Sequence, residues 1–254
     1  MSGVGWMPAD FDAPPGVCAG VTTRHGGVSL GSLGALNLAS HVGDQADHVT
    51  ENRARLRASL DLPAEPIWLQ QVHGTAVYRD IGEGGAAVPC DAAVTDRPGR
   101  VLAVLTADCL PVVLASRDGQ RLGVAHAGWR GLVSGVLEAT VAAMGDLGSD
   151  LVAWLGPAIG SAAFEVGPEV RDAFMAVHDG DAIGFLPNAR GRWQADLQLL
   201  AQRRLQRAGV SAISAIQACT YTDSDRFYSH RRDPGSGRMA TLVWRAPRPA
   251  TLCV

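Results

Sequence analysis

The stretch VLAVLTADCLPVVLASRDGQRLGVAHAGWRG (residues 101–131) holds three strand-like runs in immediate succession, at 101–107, 111–116 and 121–127. Val, Leu and Ala fill each run, and turn-forming residues separate them. Strands that follow one another without an intervening helix favour antiparallel or mixed pairing. The expectation is therefore an α+β fold with mixed sheets rather than a doubly wound one. Further strand-like runs flank this core at 17–24, 66–72, 151–156, 212–219 and 239–245. Apolar spacing predicts helices over 47–60, 128–147 and 194–208, the last with Gly209 as its C-cap. The Gly/Pro-rich pieces IGEGGAAVP (81–89) and RRDPGSG (231–237) are only loop-length, and composition does not shift across them. The organisation expected is one domain over residues 1–254.

Composition removes several classes of function. The 254 residues carry a net charge of −3, without the basic excess of a general nucleic-acid binder. All 22 basic residues are arginine. With no lysine, neither a Schiff base nor a Gly-Lys-Ser/Thr phosphate loop can be built. No apolar stretch approaches the roughly 18 residues of a membrane helix. The opening MSGVGWMPADFDAPPG lacks the basic-then-apolar lead of a secretory signal. Five scattered cysteines without CxxC pairs suit a reducing compartment, so a soluble cytoplasmic protein is expected.

Three short motifs concentrate soft or titratable side chains: QQVHG (70–74), TADCLP (106–111) and AHAGWRG (125–131). They supply His73, Cys109 and His126. Two imidazoles and a thiolate form a natural three-ligand set for zinc, or for copper in its place, with a fourth position left to water or substrate. Each of the three also has an ordinary reading as a core residue. Together, beside Asp108 and Arg130, they favour function. Asp108 is placed to orient a ligand or to act as general acid or base. The glycines of AHAGWRG turn the chain from strand into helix, whose free N–H groups, with the fork of Arg130, suit an anion. TTRHGGVS (22–29) offers Arg24 as a second anion contact. The run CTYTDSDRFYSHRRD (219–233) offers aromatic faces and arginines suited to a flat heteroaromatic substrate bearing oxyanions.

QQVHG, TADCLPVVLA, GVAHAGWRGL, GPAIGSAAFEVG and CTYTDSDRFYSHRRD, in this order, resemble the YfiH-like family from about Val21 to about Trp244. Members have been called laccase-like multicopper polyphenol oxidases, peptidoglycan editing factors and, in the FAMIN branch, purine nucleoside phosphorylases with adenosine deaminase activity. The resemblance implies a layered α/β/β/α sandwich, similar to the cytotoxic necrotising factor catalytic domain. It also implies a metal site from His73, Cys109 and His126. Ala158, Ser161, Ala162 and Ala163 stand where the family often has cysteines. That departure, with only seven histidines, counts against a multinuclear copper site.

The function this implies is a zinc-dependent purine nucleoside phosphorylase. It would cleave adenosine, inosine and methylthioadenosine with inorganic phosphate as co-substrate, and would also deaminate adenosine. Its partners would be these small molecules; no nucleic acid, membrane or obligate protein partner is indicated. Two other enzymes remain open: a hydrolase of peptidoglycan-precursor amides with Cys109 as nucleophile and His126 as base, and a copper-dependent phenol oxidase. A non-catalytic protein with a structural metal is the remaining alternative.

Overall fold

A computed structural model of the chain describes residues 3–82, 89–145 and 147–246. The central part of the loop IGEGGAAVP (83–88) lies outside the described residues. Two large sheets form the middle of the molecule. The first runs β1 (Trp6–Pro8), β2 (Val17–Thr22), β14 (Met239–Arg245), β6 (Val101–Thr106) and β3 (Ile67–Trp68), in that spatial order. The second runs β13 (Ala212–Ala215), β9 (Leu151–Leu155), β7 (Leu110–Ser116), β8 (Leu122–Ala127), β5 (Ala92–Thr95) and β4 (Val77–Arg79). Both are mixed: β3 lies parallel to β6, β13 to β9 and β4 to β5, and the other neighbours pair antiparallel. A small antiparallel sheet of β10 (Glu165–Val166), β12 (Trp193–Ala195) and β11 (Phe185–Pro187) completes the β structure.

The three consecutive runs do not share one sheet. β7 and β8 pair as the sequence suggests, with Pro111 opposite His126 and Val113 opposite Val124. β6 belongs to the other sheet, so the chain crosses between sheets at Ala107–Cys109. Sequence period cannot show this, because each of these strands is buried on both faces and reads as a continuous apolar run.

Side-chain alternation assigns the faces. Val113, Ala115, Leu122 and Val124 join Leu102, Val104 and Val243 between the sheets. Leu110, Val112, Leu114, Ala125 and Ala127 point the other way, against the helical layer. That layer comprises α2 (Trp129–Ser134), α3 (Val136–Met144), α4 (Pro168–Val177) and α5 (Leu197–Arg207). On the far side of the first sheet, Leu56 of α1 (Ala46–Ser59) packs with Leu36, Leu38, Val101, Ala103 and Leu242. The order helix, sheet, sheet, helix is the layered α/β/β/α sandwich that the resemblance implies.

The helix expected over 128–147 is two helices. Gly135 sits at φ +100°, a left-handed conformation that ends α2 and begins α3. Among the described residues no helix is long and apolar enough to cross a membrane. Cys90, Cys109 and Cys219 are free thiols, whereas Cys18 is disulfide-bonded, a tie that the scatter of the cysteines does not announce.

The helical layer carries one buried carboxylate whose titration can be followed. Asp181, fully buried, accepts from Arg203 at 3.1 Å and from both terminal nitrogens of Arg207, at 2.8 and 2.9 Å. Burial alone would raise its carboxyl, but the two guanidinium groups outweigh burial and hold it below the ordinary carboxylate range. The folded value therefore lies below an unfolded value of about 3.9. The stabilisation is full near neutrality and declines as the pH falls below about 5 toward the folded value. Urea melts of the Asp181→Asn variant should show a stability deficit at pH 7 that narrows by pH 3. A deficit independent of pH would contradict this account.

Candidate metal and substrate site

The chain passes between the two large sheets four times, and two of these crossings lie beside the end of β8 that bears His126. Cys109 sits on the first crossing, between β6 and β7, and His73 on the second, between β3 and β4. Gln71 fastens the second crossing to the end of β6. Its amide nitrogen donates to the Leu105 carbonyl at 2.8 Å and its amide oxygen accepts from the Leu105 N–H at 2.7 Å. The side chain thus imitates a strand residue and continues the first sheet beyond β3. His126 is buried on β8, in phase with Leu122 and Val124 on the face between the sheets.

These placements bring the three predicted donors together. The ligand atoms of His73, Cys109 and His126 all lie within 4.8 Å of one another. His73 Nε2 is 3.9 Å from Cys109 Sγ, and the two imidazoles meet edge to face with centroids 4.8 Å apart. Gly128 lets the cluster close. A Cβ there would lie 2.9 Å from Cys109 Sγ and 3.1 Å from His73 Cδ2. Among the described residues this is the one group of three or more His, Cys, Asp or Glu side chains suited to a metal ion.

The electrostatics of the cluster are coupled. Burial alone would raise the Cys109 thiol, but the charge of His126 and hydrogen bonds from both imidazoles outweigh it and bring the thiol down to about 6. Burial alone would lower His126; the Cys109 thiolate and the Asp91 carboxylate outweigh it and push the imidazole up. The thiolate is the form that binds metal, and metal binding would displace the proton from His126. A soft anionic sulfur with two imidazoles is a donor set that would suit zinc.

Asp91, which sequence reading missed, faces this cluster from the start of β5. It is fully buried. Its Oδ1 lies 2.8 Å from His126 Nδ1 and accepts the His73 N–H at 2.9 Å; its Oδ2 accepts from Gly74 at 2.7 Å and Val72 at 3.1 Å. Burial would raise this carboxyl, but these donors outweigh it and hold it below the ordinary carboxylate range. His73 itself has φ +61°, an uncommon conformation for a residue with a side chain, and the Asp91 bonds to three successive N–H groups hold it. The available signal was a lone acid opening the apolar run AAVT, where a charge needs a partner.

Asp108 is also at positive φ, +84°. Its carboxylate accepts from Thr220 Oγ1 at 2.6 Å, Ser229 Oγ at 3.0 Å and the Arg231 N–H at 2.7 Å. Those bonds tie the first crossing to the 219–233 segment. Arg24 is occupied away from the cluster: its Nε and Nη2 donate to the Gly34 carbonyl at 3.0 and 2.9 Å, and its Nη1 to the Ser224 carbonyl at 3.1 Å.

A cleft of about 190 Å³ opens over the donors, lined by His73, Cys109, Asp108, Trp129, Arg130, Ile159, Phe164, Leu197, His230 and Arg231. Arg130 lies over the Trp129 ring at 4.4 Å and Arg231 over the Phe164 ring at 5.5 Å. Arg130 is therefore at the cleft as expected, and Arg24 is not among its lining residues. Arg231 and His230, left undistinguished within their run by sequence reading, are. The helix at AHAGWRG has only six residues, so an anion here would be met by side chains more than by a helix dipole. Larger hollows of about 450 and 720 Å³, by Arg79 and along α1, contain none of the three donors.

Residues 18–246 match the family described as multi-copper polyphenol oxidoreductase laccase. A protein of Escherichia coli strain K12 named purine nucleoside phosphorylase YfiH is 50% identical over 231 residues, covering 91% of this chain and 95% of that protein. A purine nucleoside phosphorylase of Pseudomonas aeruginosa is 48% identical over 240 residues, covering 94% and 98%. Among solved structures, a Neisseria meningitidis protein superposes with a TM-score of 0.91 at 42% identity, over 95% of this chain and 99% of that one. YlmD from Geobacillus stearothermophilus gives 0.89 at 33% identity, over 97% and 98%. With motifs, layered fold and relatives all in agreement along nearly its whole length, the chain belongs to the YfiH-like family.

Proposed function

We propose that this chain is a purine nucleoside phosphorylase, with adenosine, inosine and methylthioadenosine as substrates and inorganic phosphate as co-substrate. The observation that carries the reading is one cleft that exposes His73 and Cys109 of the three-donor cluster beside two arginines that each lie over an aromatic ring. The names of the half-identical relatives point the same way. In phosphorolysis a phosphate oxygen bonds to the ribose C1′, the C1′–N9 bond breaks, and the departing base takes up a proton. The Trp129 and Phe164 side offers apolar surface to the base, and Arg130 and Arg231 offer charge to phosphate. At about 190 Å³ the cleft is smaller than the roughly 300–1,000 Å³ of sites that enclose a drug-sized ligand. A nucleoside and phosphate together would extend over its rim.

His73, Cys109 and His126 would hold zinc, or copper in its place. A zinc ion so bound supplies Lewis-acid chemistry and brings a water's pKa toward about 7, which suits deamination of adenosine as a second activity. Asp108, committed to two hydroxyls and a backbone N–H, serves in this reading to position Arg231 rather than to exchange protons. The cytoplasm is the compartment proposed on the strength of three free thiols, against which the Cys18 disulfide stands.

One observation favours a second reading. Cys109, His126 and Asp91 stand in the order nucleophile, base and orienting carboxylate, as in a cysteine amide hydrolase. The two readings separate cleanly, since a hydrolase of that kind survives chelators and is lost to alkylation.

The deciding experiment is adenosine and inosine with and without phosphate, with bases followed by chromatography. Free base is expected only with phosphate, and should vanish in His73→Ala and Cys109→Ala. Absence of base release from every nucleoside by metal-loaded protein would overturn the phosphorylase. Replacing Arg130 or Arg231 with Ala should raise the phosphate KM by about 10- to 100-fold, the loss of one charged hydrogen bond of about 1.5–3 kcal/mol, with metal content unchanged. Gly128→Ala, at φ −60° and so free of backbone strain, should crowd two donors and lower metal content measured by atomic emission. Full metal occupancy in that variant would show that the donors adjust.

A further inference from the structure

We propose that Asp91 is the positioning residue of the metal cluster, one carboxylate that sets two of the three ligands. The inference rests on His73, Cys109 and His126 being metal donors and is independent of the nucleoside reaction.

An ionised carboxylate accepts hydrogen bonds and donates none. Opposite His126 Nδ1, at 2.8 Å, it therefore requires the tautomer with a proton on Nδ1. That tautomer leaves the Nε2 lone pair for an ion. The same carboxylate holds the backbone of the QQVHG turn through the N–H groups of Val72, His73 and Gly74. The His73 ring is then presented with Nε2 toward Cys109. Rotamer and tautomer of one ligand, and the backbone of the other, thus depend on a side chain that touches neither ion nor substrate.

The isosteric amide reveals the dependence. In Asp91→Asn one oxygen becomes an NH2 group. Placed at Oδ2, it would face two N–H donors, Val72 and Gly74. Placed at Oδ1, it would face one N–H, that of His73, and would donate to His126 Nδ1. The second arrangement loses less, and it puts the His126 proton on Nε2, where the ion belongs.

The test measures zinc binding to metal-free protein by competition with a chromophoric chelator, with circular dichroism and thermal melting as controls for folding. Folded D91N should bind zinc about 10- to 100-fold more weakly than wild type. A merely structural role would lower the melting temperature while the folded protein bound zinc within about threefold of wild type, and that result would overturn the proposal. Should D91N fail to fold, nitrogen-15 spectra of the wild-type imidazoles decide. In the zinc-loaded protein, a proton on His126 Nδ1 supports the proposal, and a proton on Nε2 defeats it. A wild-type protein that binds no zinc also defeats it. Zinc binding with these effects, but no nucleoside turnover, would defeat the phosphorylase alone.

Discussion

The chain's passage between two sheets is the constraint on which the rest of this structure depends. β6 and β7 are consecutive in sequence yet lie in opposite sheets, so three residues, Ala107 to Cys109, must carry the backbone across the gap. A turn that tight forces Asp108 to positive φ, and its carboxylate is bound by Thr220, Ser229 and Arg231. Cys109 is delivered to the mouth of the gap as a result. The second crossing, fastened by Gln71 to the end of β6, delivers His73 to the same place. The chemistry is concentrated where the fold changes layers, at the mouth of the gap rather than in the apolar core between the sheets.

Much of the architecture was legible in the sequence where an element was long enough to leave a continuous apolar run or a helical spacing. β14 occupies the expected 239–245, and α1 and α5 lie within one to three residues of their expected bounds. Elements such as β1, β4 and β10 to β12 are two or three residues long, too short for a period to register. The division of the 101–127 region between two sheets was hidden for another reason: a strand covered on both faces carries no alternation to say which sheet it joins. The break at Gly135 was equally hidden, since Val133, Val136 and Leu137 keep helical spacing through it.

The site was legible in its donors and illegible in its supports. His73, Cys109 and His126 stand out as soft side chains at strand ends, and the structure brings all three together. Gln71 acts through hydrogen bonds to backbone and Asp91 through backbone and the His126 ring, and although a lone acid before AAVT announces a need for partners, nothing in either residue's type or spacing names them. The arginines divide in an instructive way. Arg24 and Arg130 look alike as residues beside glycines. Arg24 has its guanidinium committed to main-chain carbonyls, whereas Arg130 rests on an indole at the cleft. Main-chain acceptors carry no sequence signature, so that difference belongs to tertiary structure.

The dispersal of the three donors has a consequence for the life of the polypeptide. Cys109 and His126 meet at the open end of the β7–β8 hairpin, where Leu110 pairs with Ala127 and Pro111 with His126, whereas His73 comes from a turn 36 residues before Cys109. A chain that has formed only this hairpin holds two donors of the three. The full ligand set is complete only when the long-range pairing that carries His73 into place is finished, which is the slow part of assembling a fold of this kind. Capture of the ion by all three donors thereby marks maturity, since a precursor has at most two of them.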